Sequence, residues 1–291
     1  MEAYLINILI FSAIYAILAI SLNIVCGYTG IFSIAHAAFF GIGAYATGLL
    51  TVKAGFPFWF AAIIGIVTAG LTGALLGIPT LRLRGDYMLI ATLGFGEIFR
   101  AVLINSGNFT GGSSGISGIP APQILSISFE NDILYLLLVL FFLGVTIIIS
   151  WLIENSPFGQ VLFSIAEDED AAASLGRNPI NYKVTAMAIG SILAGLAGAL
   201  YAGYTSFINP NTFTLSESIL VLAMMILGGI GSIPGCLIGA TVLISFPEIL
   251  RFIGLPTPSA MVFRQMIYGL ALVIIMILRP RGLLGKIRLG G

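Results

Sequence analysis

The chain has 291 residues, of which 58% are hydrophobic and only 8% charged, whereas ordinary soluble domains carry about 25% charge. So few ionic groups cannot cover a water-facing surface, and the balance of twelve basic against twelve acidic residues removes the cationic field that nucleic-acid binding needs. The expected class is all-α, a polytopic helical membrane protein, and the 36 glycines suit helices whose backbones approach closely in lipid.

Apolar runs of roughly 17 to 25 residues mark spanning helices. They fall at 5–26, 33–50, 58–79, 87–104, 133–153, 183–204, 216–229, 236–249 and 260–278, about nine spans in a range of eight to ten. The first run lacks a basic leader and an Ala-x-Ala site, so it reads as a retained span. Cys26 and Cys236 lie apart in apolar stretches and read as small buried hydrophobes. The seventh and eighth runs are short and separated by Gly228-Gly229-Ile230-Gly231-Ser232-Ile233-Pro234-Gly235, so they also read as one broken element. Gly73 with Gly77, Gly231 with Gly235 and Gly235 with Gly239 have small-xxx-small spacing, which reads as helix packing. With nine crossings, residues 80–86, 154–182 and the tail from Arg279 share one side. That side holds Arg82, Arg84, Arg177, Lys183, Arg279, Arg281, Lys286 and Arg288, eight of the twelve basic residues, and is therefore cytoplasmic. The N-terminus and the long loop 105–132 then lie outside.

Two groups of residues carry functional expectations. The first is the insert 156–178. Val161, Leu162, Ile165, Ala172 and Leu175 share one face at helical spacing, and Gly176 followed by Pro179 is a stop signal, so an amphipathic helix is expected there. Its acids Glu167, Asp168, Glu169 and Asp170 exceed what a connector needs and read as a docking surface. The second group is polar residues inside spans. Glu97 lies deep in the fourth span, where a charge costs about 2.5–3.5 kcal/mol on the insertion scale. Arg100, three residues on, shares its helical face, and a structural pair is favoured over a solute contact. Ser33, His36 and Tyr45 add polar groups to the second span, where His36 reads more simply as a hydrogen-bonded packing residue. Ser33, His36, Tyr45, Glu97 and Arg100 together form the candidate translocation path. Glu217 and Glu248 are expected at the membrane interface.

No Gly-x-x-x-x-Gly-Lys-Ser/Thr loop occurs, so ATP is not bound by that device. One His and two isolated Cys offer no catalytic, cofactor or metal set, and any energy comes from a partner or a gradient.

Asp170-Ala171-Ala172 with Gly176 resembles the EAA-type loop of ABC-importer permeases, with Asp in place of Glu at its first position. Further stretches resemble permeases of branched-chain amino-acid importers: Ser21-Leu22-Asn23, Gly27-Tyr28-Thr29-Gly30, Ser33 with His36-Ala37-Ala38-Phe39, Gly41-Ile42-Gly43-Ala44-Tyr45, Leu81-Arg82-Leu83-Arg84-Gly85-Asp86-Tyr87, Thr92-Leu93-Gly94-Phe95-Gly96-Glu97, Gly195-Leu196-Ala197-Gly198-Ala199-Leu200 and Arg279-Pro280-Arg281-Gly282-Leu283-Leu284-Gly285. They run in order from Ser21 to Gly285, and two of them resemble one of the two paralogous permeases in particular. The resemblance implies a single permease domain, 1–291, in a prokaryotic inner membrane. It also implies a paralogous second permease, two ATP-binding subunits and an extracytoplasmic solute-binding protein as partners, with Glu167 to Ala172 and Gly176 coupling to the ATPase. Relatives carrying urea, short amides or other amino acids are the alternative solutes. A secondary transporter driven by a gradient is the alternative mechanism, since broken helices occur there too.

Overall fold

The computed structural model describes residues 2–80, 83, 86–124, 127–252, 269 and 283–284. Helix α1 (Glu2–Leu22) contains neither Gly nor Pro, and it passes into a π-helical turn at Asn23–Gly27. After a non-helical stretch come α2 (His36–Val52), α3 (Phe58–Thr80) and α4 (Asp86–Asn105). The short α5 (Gly107–Thr110) begins a loop that holds strands β1 (Ile116–Ser117), β2 (Gln123–Ile124) and β3 (Ile127–Ser128). Helix α6 (Asp132–Glu154) starts where the Asn131 side chain accepts from the Ile133 N–H at 2.9 Å. Two short helices, α7 (Pro157–Glu167) and α8 (Glu169–Ser174), lead to the long α9 (Pro179–Thr205). Strand β4 (Phe207–Ile208), α10 (Leu215–Gly228) and α11 (Ile233–Phe252) complete the described elements.

Among the described residues, six helical segments are long and apolar enough to cross a membrane: Tyr4–Gly27, Phe58–Thr80, Tyr87–Asn105, Asp132–Glu154, Pro179–Thr205 and Pro210–Gly228. His36–Val52 and Ile233–Phe246 are apolar but shorter. The second expected span therefore has a helix only from His36 on, while the seventh gains length from the 3₁₀ turn Pro210–Thr212 before it. The ninth expected run, 260–278, lies outside the described residues, as do Arg82, Arg84, Arg279, Arg281, Lys286 and Arg288.

Helix α1 forms the centre of the bundle, against α6, α9, α10 and α11, and α9 packs on both α2 and α3. Backbone proximity makes the second of these contacts possible. A Cβ at Gly43 would overlap the Gly195 carbonyl, and one at Gly198 would overlap the Phe40 carbonyl, so α2 and α9 cross with main chain on main chain. The expected packing role of Gly73 and Gly235 is visible too: Gly73 faces Ser191, and Gly235 faces the Gly228 backbone where α10 and α11 meet. At one end of the bundle, Gly30 lies against Ala166 of α7. At the other end, β1 pairs antiparallel with β4, Ile116 opposite Ile208, and Lys53 lies over the Phe109 ring.

Candidate functional site

Two non-helical stretches, one between α1 and α2 and one between α9 and α10, each bring their own backbone partners. Non-helical backbone at membrane depth is tolerated only where its polar groups are satisfied. Residues 30–35 and the turn after them meet this need with hydroxyls: Ile34 N–H donates to Thr92 Oγ1 of α4 at 3.2 Å, and Ala37 N–H, in the first turn of α2, donates to Ser218 Oγ of α10 at 3.0 Å. The second interruption precedes α10, where Asn209 Oδ1 accepts from Asn211 N–H and Thr212 N–H at 2.9 and 3.1 Å. A third irregularity lies at the far end of α10. There Asn23, on the π turn, accepts from Gly231 N–H at 2.8 Å, and Gly27 leaves room for that side chain because any Cβ would overlap Asn23 Oδ1. The N–H groups of Leu283 and Leu284 close the last carbonyls of α10, donating to Leu227 O and Gly228 O at 3.0 and 2.9 Å.

The start of α2 and the start of α10 face one cleft with α4. Ile34, Ala37, Ala38, Leu93, Gly96, Glu97, Phe213, Thr214, Leu215 and Ser218 line it. It encloses little more room than one water molecule needs, so in this conformation the chain supplies a wall and not a closed binding chamber.

Of the five path candidates, Glu97 lines this cleft. Its carboxylate stands 3.8 Å from Arg100 NH1, the expected i,i+3 pairing at its longest useful range, while Arg100 NH2 donates to Asn211 Oδ1 at 3.0 Å. Arg100 thus ties α4 to the interruption before α10. The other three are buried inside the chain. His36 Nε2 lies 2.6 Å from Ser21 Oγ, which donates to Leu18 O; Nε2–H is therefore the donor, the packing arrangement expected of a lone intramembrane His. Ser33 Oγ accepts from Ala35 N–H at 3.4 Å. Tyr45 packs edge-on to Phe213, with ring centroids 5.8 Å apart, and its hydroxyl is buried without a hydrogen-bond partner among the described residues.

Glu217 departs from the expected position at the interface. It accepts from the hydroxyl of Tyr15, halfway along α1, so it lies at mid-depth in the bundle. Glu97 and Glu217 belong to neighbouring elements around the same interruption, and the sequence separation of 202 residues between Tyr15 and Glu217 hid the second of them. The side chain of Glu248 lies outside the described residues.

The insert 156–178 is two helices where one was expected. Ser156 caps α7, accepting from Gly159 N–H at 3.1 Å, and the chain then breaks at Asp168 in an extended conformation, φ −154° and ψ 106°. The physical reason is the Asp168 side chain, which accepts from Ala171 N–H at 2.9 Å and so caps a new helix instead of continuing the old one. Glu167 ends α7, while Glu169 and Asp170 occupy the first turn of α8, where the helix dipole favours acids. The acid run therefore has a local structural use that the docking reading had not given it. The shared apolar face is corrected as well. Leu162, Ile165 and Ala172 are buried and Val161 is partly buried, but Leu175, the residue that ends α8, is 82% exposed. Gly176 has φ +78°, with Gly176 N–H bonded to Ala173 O and Arg177 N–H to Ala172 O, the paired bonds of a left-handed helix stop. Ala171, Ala173, Ser174 and Leu175 are left on the surface of α8.

Comparison with known proteins assigns this arrangement to a family. The family model described as "Branched-chain amino acid transport system / permease component" matches residues 4–277. The chain belongs to this family. Within it, the chain is 36% identical to the high-affinity branched-chain amino acid transport system permease protein LivM of Escherichia coli (strain K12), over 97% of this chain and 70% of that protein. It is 27% identical to the probable branched-chain amino acid transport permease protein LivM of Methanocaldococcus jannaschii, over 95% of this chain and 92% of that protein. Identity to the permease protein LivH of E. coli (strain K12) is 26%, over 94% and 91%. No solved structure matches. The higher identity to LivM than to LivH agrees with the expectation that the chain resembles one of two paralogous permeases.

Proposed function

We propose that the chain is a permease subunit of an ATP-driven importer that carries branched-chain amino acids across a prokaryotic inner membrane. The observation that carries this reading is the similarity to LivM along nearly the whole chain. The solute arrives from an extracytoplasmic binding protein, a paralogous permease completes the path, and two ATP-binding subunits dock at the end of the bundle formed by α7 and α8. That end is the cytoplasmic one, and the loop 105–132 faces outward. The exposed face of α8, from Ala171 to Gly176, is the ATPase-coupling surface.

The cleft at Glu97 is one half of the solute path. Two features of α4 support a covering partner there. Gly94 and Gly96 have nothing within 4 Å of where a Cβ would stand, and Tyr87, Ile90, Ile98 and Val102 are exposed along the same helix. A half-exposed carboxylate such as Glu97 does not face lipid at acceptable cost, so it faces the second permease, water or solute. Ser33, His36 and Tyr45 support this wall from behind, and Arg100 sets the position of the chain before α10.

The test is uptake in proteoliposomes containing both permeases and both ATPases, with binding protein outside. ATP-dependent accumulation of leucine, isoleucine and valine is expected, and it is abolished when the ATPases are hydrolysis-dead. Uptake that persists with dead ATPases on an imposed proton or sodium gradient refutes the ATP-driven reading in favour of secondary transport.

A further inference from the structure

Displacement imposed on α8 has to reach the helices that hold the cleft, and α8 is poorly placed to pass it on through packing. Its neighbour α7 is fixed by apolar contacts: Leu162 sits in a cluster with Ile24, Tyr28, Ala186 and Leu193, the Tyr28 and Phe163 rings lie 5.0 Å apart, and Phe158 stacks on Tyr182 of α9 at 5.5 Å. The extended Asp168 breaks the helix between α7 and α8, so the two are not one continuous rod. Helix α8 itself buries little beyond Ala172.

A short ion pair joins α8 to α9. Glu169 Oε2 lies 2.6 Å from Lys183 Nζ, with the Lys183 side chain 7% exposed and that of Glu169 42%. The buried Lys183 needs a partner for its charge. It stands in the second turn of α9, near the end where the helix dipole disfavours a cation, and it is buried, which costs free energy unless the charge is paired. A carboxylate supplied from α8 removes both difficulties. The pair is short and directional, and it is anchored on the buried side by Lys183.

From Lys183 the path is rigid. Helix α9 meets α2 main chain to main chain at Gly43 against Gly195 and at Phe40 against Gly198, so α9 cannot shift without α2. The first turn of α2 supplies Ala37 and Ala38 to the cleft. We propose that Lys183 is a positioning residue which, through Glu169, transmits displacement of α8 to α9 and from there to the α2 wall of the cleft. This inference rests on the import reading given above.

The experiment measures leucine imported per ATP hydrolysed by the complete complex in proteoliposomes. Lys183→Met and Glu169→Gln remove one charge each. Lys183→Met, which lies outside the docking helix, is expected to retain the ATPases on co-purification and to hydrolyse ATP, and in both variants the leucine-to-ATP ratio falls by about tenfold, within the roughly 5- to 150-fold range of coupling between sites. Lys183→Arg, which keeps the charge, and the exchanged pair Glu169→Lys with Lys183→Glu are expected to regain most of that ratio. A purely structural role would lower the yield of folded complex and leave the ratio of the surviving complex unchanged. An unchanged ratio in both single variants overturns the proposal, and so does a loss that neither the exchange nor Lys183→Arg repairs. If the exchanged pair fails to insert, Lys183→Arg decides alone. Wild-type vesicles without ATP-dependent leucine uptake overturn the import reading itself, and the inference with it.

Discussion

Replacing Gly43 by Ala adds one methyl group where α2 touches α9. The new Cβ would stand 2.2 Å from the Gly195 carbonyl oxygen, and ordinary contact begins at 3.4 Å, so this contact must open by about 1.2 Å. Rotating the methyl away is not available, because a Cβ has no torsion of its own and its direction is set by the backbone. Separation also opens the neighbouring contact of Gly198 with the Phe40 carbonyl, three residues along each helix. Overpacking of this kind costs about 1–3 kcal/mol, occasionally more. Against it, Ala in place of Gly in a helix interior gains roughly 0.5–1 kcal/mol. The net expectation is a destabilisation of about 1–2 kcal/mol, or roughly 2–8 °C in melting temperature for a chain of this size. Gly144→Ala is the control, since nothing lies within 4 Å of a Cβ at that position in α6, and it should melt at or slightly above the wild type. Melting followed by intrinsic fluorescence in detergent measures both. A Gly43→Ala protein as stable as the wild type would show that α2 and α9 do not cross on their backbones.

Ser218→Ala leaves the buried Ala37 N–H without its hydroxyl acceptor, a loss of about 1–3 kcal/mol, while Ser218→Thr keeps the group; equal melting of the two variants contradicts the assigned bond. Gly176→Val forces a β-branched residue to φ +78° and should weaken ATPase co-purification, whereas Asp168→Asn keeps an oxygen to cap α8 and should behave as wild type. Retention of the ATPases by Gly176→Val at wild-type level counts against the docking role of α8. A single cysteine at Ser114 should react with an impermeant maleimide from outside, and one at Ser174 should react only after the membrane is opened. The opposite pattern inverts the orientation.

The bulk of the helical architecture was legible because it depends on long apolar runs, a signal summed over some twenty residues each. Where the chain departs from a helix, the signal is a single polar group whose partner is remote. Residues 30–35 and the turn after them depend on Thr92, 58 positions from Ile34, and on Ser218, 181 positions from Ala37, and neither hydroxyl looks different from any other in a membrane helix. The same distance in sequence concealed the Tyr15 bond that holds Glu217 at mid-depth. Glu97 with Arg100 was readable because both members lie on one helix at i,i+3. At the insert 156–178, periodicity suggested one continuous face. The competing preference of Asp168 for a cap position prevailed and split the helix, and Leu175 at the end of α8 is exposed. Gly73, Gly235 and Gly239 pack closely as their spacing suggested, whereas Gly231 lies in the turn before α11 with φ +76°, and spacing alone did not indicate that Gly43 and Gly195 meet each other.

The central position of α1 bears on how the protein is made. Helix α1 is synthesised before the other described helices and is the most enclosed of the candidate spans, with 83% of its apolar window buried, and several helices that enclose it belong to the second half of the chain. Until residues 233 onward have been synthesised, α1 lacks its α11 neighbour and has to persist in lipid as a provisional span. Its composition suits that wait: mean hydropathy is 2.5, against 1.5 for Pro210–Gly228, and no Gly or Pro interrupts it between Glu2 and Leu22. The non-helical stretch that follows α1 shares that wait, because its acceptors Thr92 and Ser218 are synthesised 58 and 181 positions after Ile34 and Ala37.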